Sequence, residues 1–379
     1  MQRKMIAVTG FWDPAGLGRI ASRPADVYLR LFLELHRAVP FPMVIFIDPP
    51  LRERLEALLA RTPALAERVV IERELVDLRF GRDLAKESFR RLRPPENCGP
   101  NKDTHGFAIV TWAKTDLVAE VCALRPDATH LMWLDFGLAH VGSFCGVDWR
   151  AIEATCPETP RISEMRAVSS AELADRQEYY RFIRGKVASG MFTVGRTHAG
   201  ELAARMQTET DRMLALGRLN LEEAIFGILA ADDPEIFSRW FANYPSVMAN
   251  YTLIQGDAGC VLDNLRFCRD QSLHQRGVDI ARDLVRAMAS DAIRLHPSEV
   301  ATLLHDAFIC AYYADRDFAE RLMDRITGLY AFSPLMRRPL DDDLLRTNIH
   351  FLGGSLDAPR LSWDDFATLE DFTAWKTLL

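Results

Sequence analysis

The sequence lacks most of the features that would assign it at once. No apolar run reaches the roughly 20 residues needed to cross a bilayer. The start, MQRKMIAVTGFWD, is basic but has too few apolar residues before Asp13 for a signal peptide, so it reads as a first strand. There is no basic excess: 46 Lys and Arg face 53 Asp and Glu, a net charge of −7, which argues against nucleic acid as the main partner. Seven cysteines (Cys98, Cys122, Cys145, Cys156, Cys260, Cys268, Cys310) are scattered, odd in number and without zinc-site spacing. They fit free thiols in a reducing cytoplasm. HExxH, GxSxG and a Walker P-loop are all missing. The letters DFG at 135–137 occur in protein kinases, but no HRD-type loop or kinase glycine loop accompanies them.

What is present is 379 residues of ordinary globular composition, enough to bury roughly three quarters of the unfolded surface and to suggest two domains. The organising stretch is Phe107 to Gly137, FAIVTWAKTDLVAEVCALRPDATHLMWLDFG. Its spacing predicts a helix to Leu124, a turn at Arg125-Pro126-Asp127 and a strand. LMWL is apolar on both faces, as in a covered parallel sheet. Asp135 then falls just past the carboxyl end of that strand, where open α/β sheets bind ligands. On the helix, Val110, Ala113, Leu117, Val121 and Leu124 form an apolar stripe that includes Lys114. A lysine there either snorkels out or meets an anion at the sheet edge.

Before this stretch, KMIAVTG reads as a buried strand, FWDPAGLGR as a loop, and ADVYLRLFLELHRAV, after Pro24, as an amphipathic helix. Gly16 and Gly18 in the loop could admit a phosphate or merely turn the chain. MVIFI, Leu51 to Arg61 and Val69 to Ile71 follow as strand, helix and strand, implying a parallel sheet with right-handed crossovers. Residues 77–106 are polar and irregular. After Gly137, KVASGMFTV reads as a strand interrupted by Gly190, where a bulge or a close ligand is expected. Helices follow at His198 to Leu216, stopped by Gly217, and at Leu219 to Ala231. From Gly259 to Gly328 the pattern is strongly helical, and TNIHFLGG looks like a short strand before an acidic tail with Trp363 and Trp375.

Four candidates for chemistry stand out. Asp135 either holds a divalent cation that grips a diphosphate or caps the next turn. Lys114 would balance diphosphate charge. Of the pair Glu222-Glu223, Glu222 borders the apolar face set by Leu221, Ile225, Ile228 and Leu229, while Glu223 points away. Glu222 is thus the better base, unless both merely complement a helix N-terminus. His350, before a glycine pair, is a second metal ligand or a structural histidine.

Taken in order, VTGFWD–GLGR, VIFI, WAKTDLV, MWLDFG, SGMFTVG and LEEAIFGIL with PEIFSRWF resemble the HtrL/YibB (WlaTC-like) family of bacterial proteins, over about residues 4–255. That family is regarded as glycosyltransferases of the GT-A type, linked to surface-polysaccharide or lipopolysaccharide assembly. The resemblance implies that Asp135 matches the first Asp of a metal-binding D-x-D motif. Gly137 stands in place of the second, so a further ligand would come from elsewhere, such as Glu222 or His350. Glu222-Glu223-Ala224 departs from the family's DEQ at its third position. HFLGG is similar to the H-x-x-G of glycogenin-like transferases, without the lysine and proline that follow there.

The expectation is therefore an α/β chain. A GT-A-like nucleotide-sugar-binding domain with a mixed, mostly parallel sheet spans 1–255. A helical extension spans 256–345, and a tail, 346–379, packs back on the catalytic domain. Expected donor contacts are Thr9, Gly10, Phe11, Lys114, Gly137, Gly190 and Phe192. Expected metal ligands are Asp135 and His350, for Mn²⁺ or Mg²⁺, and the catalytic pair is Glu222 and Glu223. The expected activity is cytoplasmic transfer of a sugar, as from a UDP-sugar, to a glycan or lipopolysaccharide-type acceptor, with peripheral membrane contact left open. A silent GT-A-like domain serving as a protein-binding adaptor through its helices is the alternative. A nucleotide-sugar phosphorylase or hydrolase is a third.

Overall fold

A computed structural model describes residues 3–17, 23–99, 104–142, 144–332 and 343–352. Gly18, Trp363, Trp375 and the tail from 353 onward lie outside the described residues. The chain divides into two compact units, residues 1–164 with 170–252, and residues 165–169 with 253–379.

The first unit is α/β. Its strands are β1 (Met5–Phe11), β2 (Met43–Ile47), β3 (Arg68–Glu72), β4 (His130–Leu134), β5 (Arg161–Glu164), β6 (Val187–Gly195) and β7 (Ser238–Phe241). They form one sheet in the order β3-β2-β1-β4-β6-β5-β7. Every neighbouring pair is parallel except the two that involve β6. The mixed, mostly parallel sheet expected from the sequence is thus present. β1, β2, β4 and β6 are buried almost throughout, which is why they read as continuous apolar runs. Gly190 sits where the β5–β6 register slips, between Ile162 and Glu164 on the partner strand.

The main helices of this unit are α1 (Ala25–Ala38), α2 (Arg52–Ala60), α3 (His105–Leu124), α4 (Arg196–Ala215) and α5 (Glu222–Asp232), with shorter helical turns between. Pro24 occupies the N-cap of α1, as its fixed φ allows. Gly217 adopts φ +70 just past α4, which a left-handed helix stop requires. The single apolar stripe expected on α3 is a correction. The helix packs on β1 and β4 and also on α4 and α5, so it is buried on two sides, while Leu124 at its end is exposed. The polar stretch 77–99 is not featureless either; it holds short helices at Gly81–Ala85 and Glu87–Arg90.

The second unit is helical: α6 (Ala258–Asp270), α7 (His274–Ala289), α8 (Pro297–Ala314), α9 (Arg316–Phe332) and α10 (Asp343–Phe351). Consecutive helices α6 to α9 pack on one another, and α8 also packs on α6 and α10. The segment expected as a strand, TNIHFLGG, instead falls in and just past α10. Leu345, Asn348 and Ile349 are buried at helical spacing, and that period decides the element. The start of the expected tail therefore belongs to the helical unit.

Gly277 marks the tightest packing in this unit. A Cβ there would lie 2.3 Å from Cys310 Sγ and 2.9 Å from its Cβ, so α7 and α8 approach at a glycine contact. Gly277→Ala should destabilise the helical unit by about 1–3 kcal/mol, the usual cost of overpacking, read as a lower denaturant midpoint. An unchanged midpoint would mean the two helices can separate without penalty.

Candidate active site

In sequence, β1 leads through β2 to β3 on one side, while β4 lies on the other side of β1. The carboxyl ends of β1 and β4 thus form a topological switch point, the usual ligand crevice of an open α/β sheet. Asp135 is the first residue past β4. Its backbone N–H is fixed by Gly190 O at 2.8 Å, and its side chain is 39% exposed.

Lys114 approaches from α3. Only 5% of the residue is exposed, and its Nζ lies 2.7 Å from Asp135 Oδ1 and 2.5 Å from Glu222 Oε1. Ser189 O is at 3.4 Å, and the Trp133 ring centroid at 5.8 Å. Burial alone would drive the lysine toward its neutral form. The two carboxylates outweigh burial and hold the ammonium above the ordinary lysine value. The core-facing lysine therefore meets anions at the sheet edge; it does not snorkel out.

Glu222 and Glu223 open α5. Glu222 is 2% exposed; its Oε1 accepts from Lys114 and, at 2.5 Å, from Ser189 Oγ, while its Oε2 is buried without a hydrogen-bond partner. The expectation that Glu223 points away is corrected. Its Oε1 accepts from Tyr244 Oη and lies 3.4 Å from Ser189 Oγ, so one serine touches both acids. At the first helical turn, long side chains 100° apart can still reach back over the same N-terminal end. Desolvation first, and the Glu222 charge second, push the Glu223 carboxyl up to about 7. The same burial and the Glu223 charge raise the Tyr244 phenol, which stays a neutral donor.

The remaining expected donor contacts have other places. Thr9 is fully buried within β1, so it gives way to a packing role. Phe11 stacks on Phe136 with centroids 4.6 Å apart, and Phe136 stacks on Phe32 at 4.2 Å. Gly10 leaves room for the Trp12 indole: a Cβ would fall 2.8 Å from Trp12 and 3.5 Å from Trp133. Phe192 is buried and stacks on Trp133. Gly137 lies under Tyr28, whose ring would be 2.8 Å from a Cβ. Gly190 borders the site itself, its Cβ position being 3.5 Å from Asp135 Oδ2. His350 is an exposed residue of helix α10 in the second unit, not part of a strand.

Three participants are not evident from the sequence. Trp133 donates its indole N–H to Asp135 Oδ1 at 2.7 Å. The i, i+2 spacing on one strand is the one available signal. Ser189 adjoins Gly190, the residue that does stand out in that strand. Tyr244 lies in the loop after β7, with nothing in its neighbourhood to mark it.

No protein-family model matches the chain, and no curated protein sequence does, so the HtrL/YibB resemblance rests on its motifs alone. Solved structures offer distant likenesses. Mouse xyloside xylosyltransferase 1 in its apo form is 12% identical over 63% of this chain and 85% of its own, with a TM-score of 0.34. A glycosyltransferase involved in glycosylation of the major capsid of PBCV-1 is 7% identical over 62% and 81%, with a TM-score of 0.29. A 4-diphosphocytidyl-2C-methyl-D-erythritol synthase is 16% identical over 69% and 98%, also at 0.29. Likenesses at this level say nothing of what this chain does.

Two outcomes follow from the cluster. Lys114→Ala leaves Glu222 buried and unpaired and should cost about 3 kcal/mol, the lower end for a broken buried pair because Asp135 still reaches water. Adding Glu222→Gln should recover part of that loss in a double-mutant cycle; strict additivity would deny the pairing. The second outcome concerns pH. Glu223 has a folded pKa raised from 4.5 to about 7, so the stability it contributes is present below 4.5 and is lost as pH rises through 7. Glu223→Gln should flatten that decline in denaturation curves taken between pH 4.5 and 8.

Proposed function

We propose that the first unit is a GT-A-type glycosyltransferase domain that takes a nucleotide-sugar donor, in keeping with the HtrL/YibB resemblance. One observation carries the reading: Lys114, Asp135, Glu222 and Glu223 converge at the carboxyl end of β4, beside the switch point of the sheet. Such a cluster offers two things glycosyl transfer needs, carboxylates to hold a cation that would offset a departing diphosphate and a group to accept the proton of the incoming hydroxyl.

The base falls to Glu223 in place of Glu222. Glu222 is engaged by the Lys114 ammonium and by Ser189 through its Oε1, and is almost fully buried, so it is poorly placed to meet an incoming hydroxyl. Glu223, desolvated and beside another acid, has a proton affinity near neutrality, where a general base is most effective. Tyr244 and Ser189 hold its carboxyl in place. The acceptor hydroxyl would attack the anomeric carbon as its proton passes to Glu223 and the nucleoside diphosphate leaves. We assign the acceptor to the glycan or lipopolysaccharide class and the donor to the UDP-sugar type, from the motif resemblance alone.

The donor set also suits a divalent cation. Among the described residues no group of three or more His, Cys, Asp and Glu is arranged to hold a metal by itself. Mg²⁺ and Mn²⁺ commonly take only one or two protein carboxylates and complete their shell with phosphate and water. Three carboxylates here face one ammonium, an excess of two negative charges when all are ionised. Asp135 Oδ2 accepts no hydrogen bond from any described residue, and Glu222 Oε2 is a buried orphan. Asp135 would hold the ion, with Glu222 behind it. When bound, the ion would offset the diphosphate charge.

Thermal-shift titration with UDP, GDP, CDP and ADP, each with and without Mn²⁺, tests the reading. One nucleotide at 100 times its dissociation constant should stabilise the fold by about 2.7 kcal/mol. That shift should vanish in Asp135→Ala; no shift with any nucleotide would reject the assignment. With a donor identified, Glu223→Gln should lower the transfer rate by roughly 10²–10⁴-fold and remove the rise of kcat/KM with pH through about 7.

A further inference from the structure

Asp135 carries two oxygens with different surroundings. Oδ1 accepts from Trp133 Nε1 at 2.7 Å and from Lys114 Nζ at 2.7 Å. Oδ2 receives nothing from a described residue; it lies 3.5 Å from the Cβ position of Gly190, which Leu138 Cδ1 approaches to 2.9 Å, and the Asp135 side chain is 39% exposed. A carboxylate with both donors on one oxygen has its rotation fixed, and its other oxygen is left with its lone pairs available. A ring contact holds one side of the indole. Phe192 stacks on Trp133 with the rings 12° from parallel, and is its direct partner across β4 and β6. Gly10, just beyond the part of β1 that pairs with β4, keeps clear the place of the Trp12 ring, which a Cβ would meet at 2.8 Å, while the same Cβ would lie in ordinary contact with Trp133 at 3.5 Å.

We infer that Trp133 and Lys114 are positioning residues that clamp Asp135 Oδ1 and so present Oδ2 as the oxygen that binds a divalent cation. Phe192 belongs to this device as a support of the indole. The inference rests on the reading of Asp135 as the metal-holding carboxylate. It adds that the ligand is pre-set by groups that never touch the metal or the donor. Outer partners of metal ligands commonly govern affinity in this way. An indole N–H suits such a role because it is a donor only, carries no charge to compete with the cation, and belongs to a ring that packing can lock. Lys114 supplies the second donor while remaining neutralised on its other side by Glu222.

The test uses the full chain and Mn²⁺ alone, with free ion counted by electron paramagnetic resonance. Asp135→Asn should abolish saturable binding. Trp133→Phe keeps an aromatic ring and loses the N–H, and should weaken Mn²⁺ by about 10–100-fold while the metal-free melting temperature stays close to that of the parent. A purely structural tryptophan would show the reverse, a lower melting temperature with unchanged affinity. Lys114→Met, where it folds, should weaken Mn²⁺ to a similar degree. Should the parent bind Mn²⁺ through Asp135 and both variants bind within twofold of it, the clamp is refuted while the metal reading survives. Should the parent bind no Mn²⁺ that Asp135→Asn removes, both fall together.

Discussion

A buried ammonium held between two carboxylates is the constraint on which the site depends. Lys114 comes from the middle of α3, Asp135 from the end of β4 and Glu222 from the first turn of α5, so one cation ties three elements to one point. Such an arrangement is costly to bury and stands only when every partner is in place. That requirement explains why α3 is enclosed on two sides. Its contacts with β1 and β4 set the lysine's height above the sheet, and its contacts with α4 and α5 bring up the helix that carries the acids. Ser189 on β6 completes the arrangement, because its hydroxyl and carbonyl lie against the lysine and both glutamates.

Much of this is legible wherever a local pattern and a spatial role coincide. An apolar tetrapeptide followed by Asp announces a covered strand and a residue at its carboxyl rim, and Asp135 is there. A lysine within an apolar pattern is expensive enough to stand out, and Lys114 is buried against anions. Helical phase serves less well at the start of α5. A 100° separation predicts opposite faces in mid-helix, but at a terminus both Glu222 and Glu223 extend past the end toward the same serine. At the other extreme, Thr9, Gly10 and Phe11 are expected donor contacts at the end of the first strand. Thr9 is interior, Phe11 is spent on an aromatic stack with Phe136 and Phe32, and Gly10 is a vacancy for the Trp12 indole. Tyr244 shows the limit of a linear reading. Its hydrogen bond to Glu223 spans 21 residues and depends on where β7 ends.

The two glutamates divide the labour through their surroundings, not their chemistry. Glu222 is the more enclosed, and a cation and a hydroxyl both contact it. Glu223 has a tyrosine donor but no cation of its own in contact, and it sits beside a charge of like sign. In that setting desolvation, and then the neighbouring Glu222 charge, lift the Glu223 carboxyl to about 7. Exchange of the two roles would require Lys114 to move, which its packing in α3 opposes.

On the glycosyltransferase reading proposed above, Gly137 stands where the motif would place its second acid. A D-x-D motif would carry its second acid two residues beyond Asp135. Here the ring of Tyr28 lies over that position, with a Cβ already at 2.8 Å from it, so an aspartate at 137 would have to displace the tyrosine and with it the contact of Tyr28 with Phe11. The aromatic stack that closes the ends of β1 and α1 and the second acid of the motif compete for one volume. The chain keeps the stack. Negative charge comes near from a different element, since α5 brings Glu222 to the lysine that Asp135 engages and Glu223 to the serine beside it. An aspartate introduced at 137 would add charge against the Tyr28 ring. On the reading proposed above, the glutamates that open α5 would take the place of the motif's second acid.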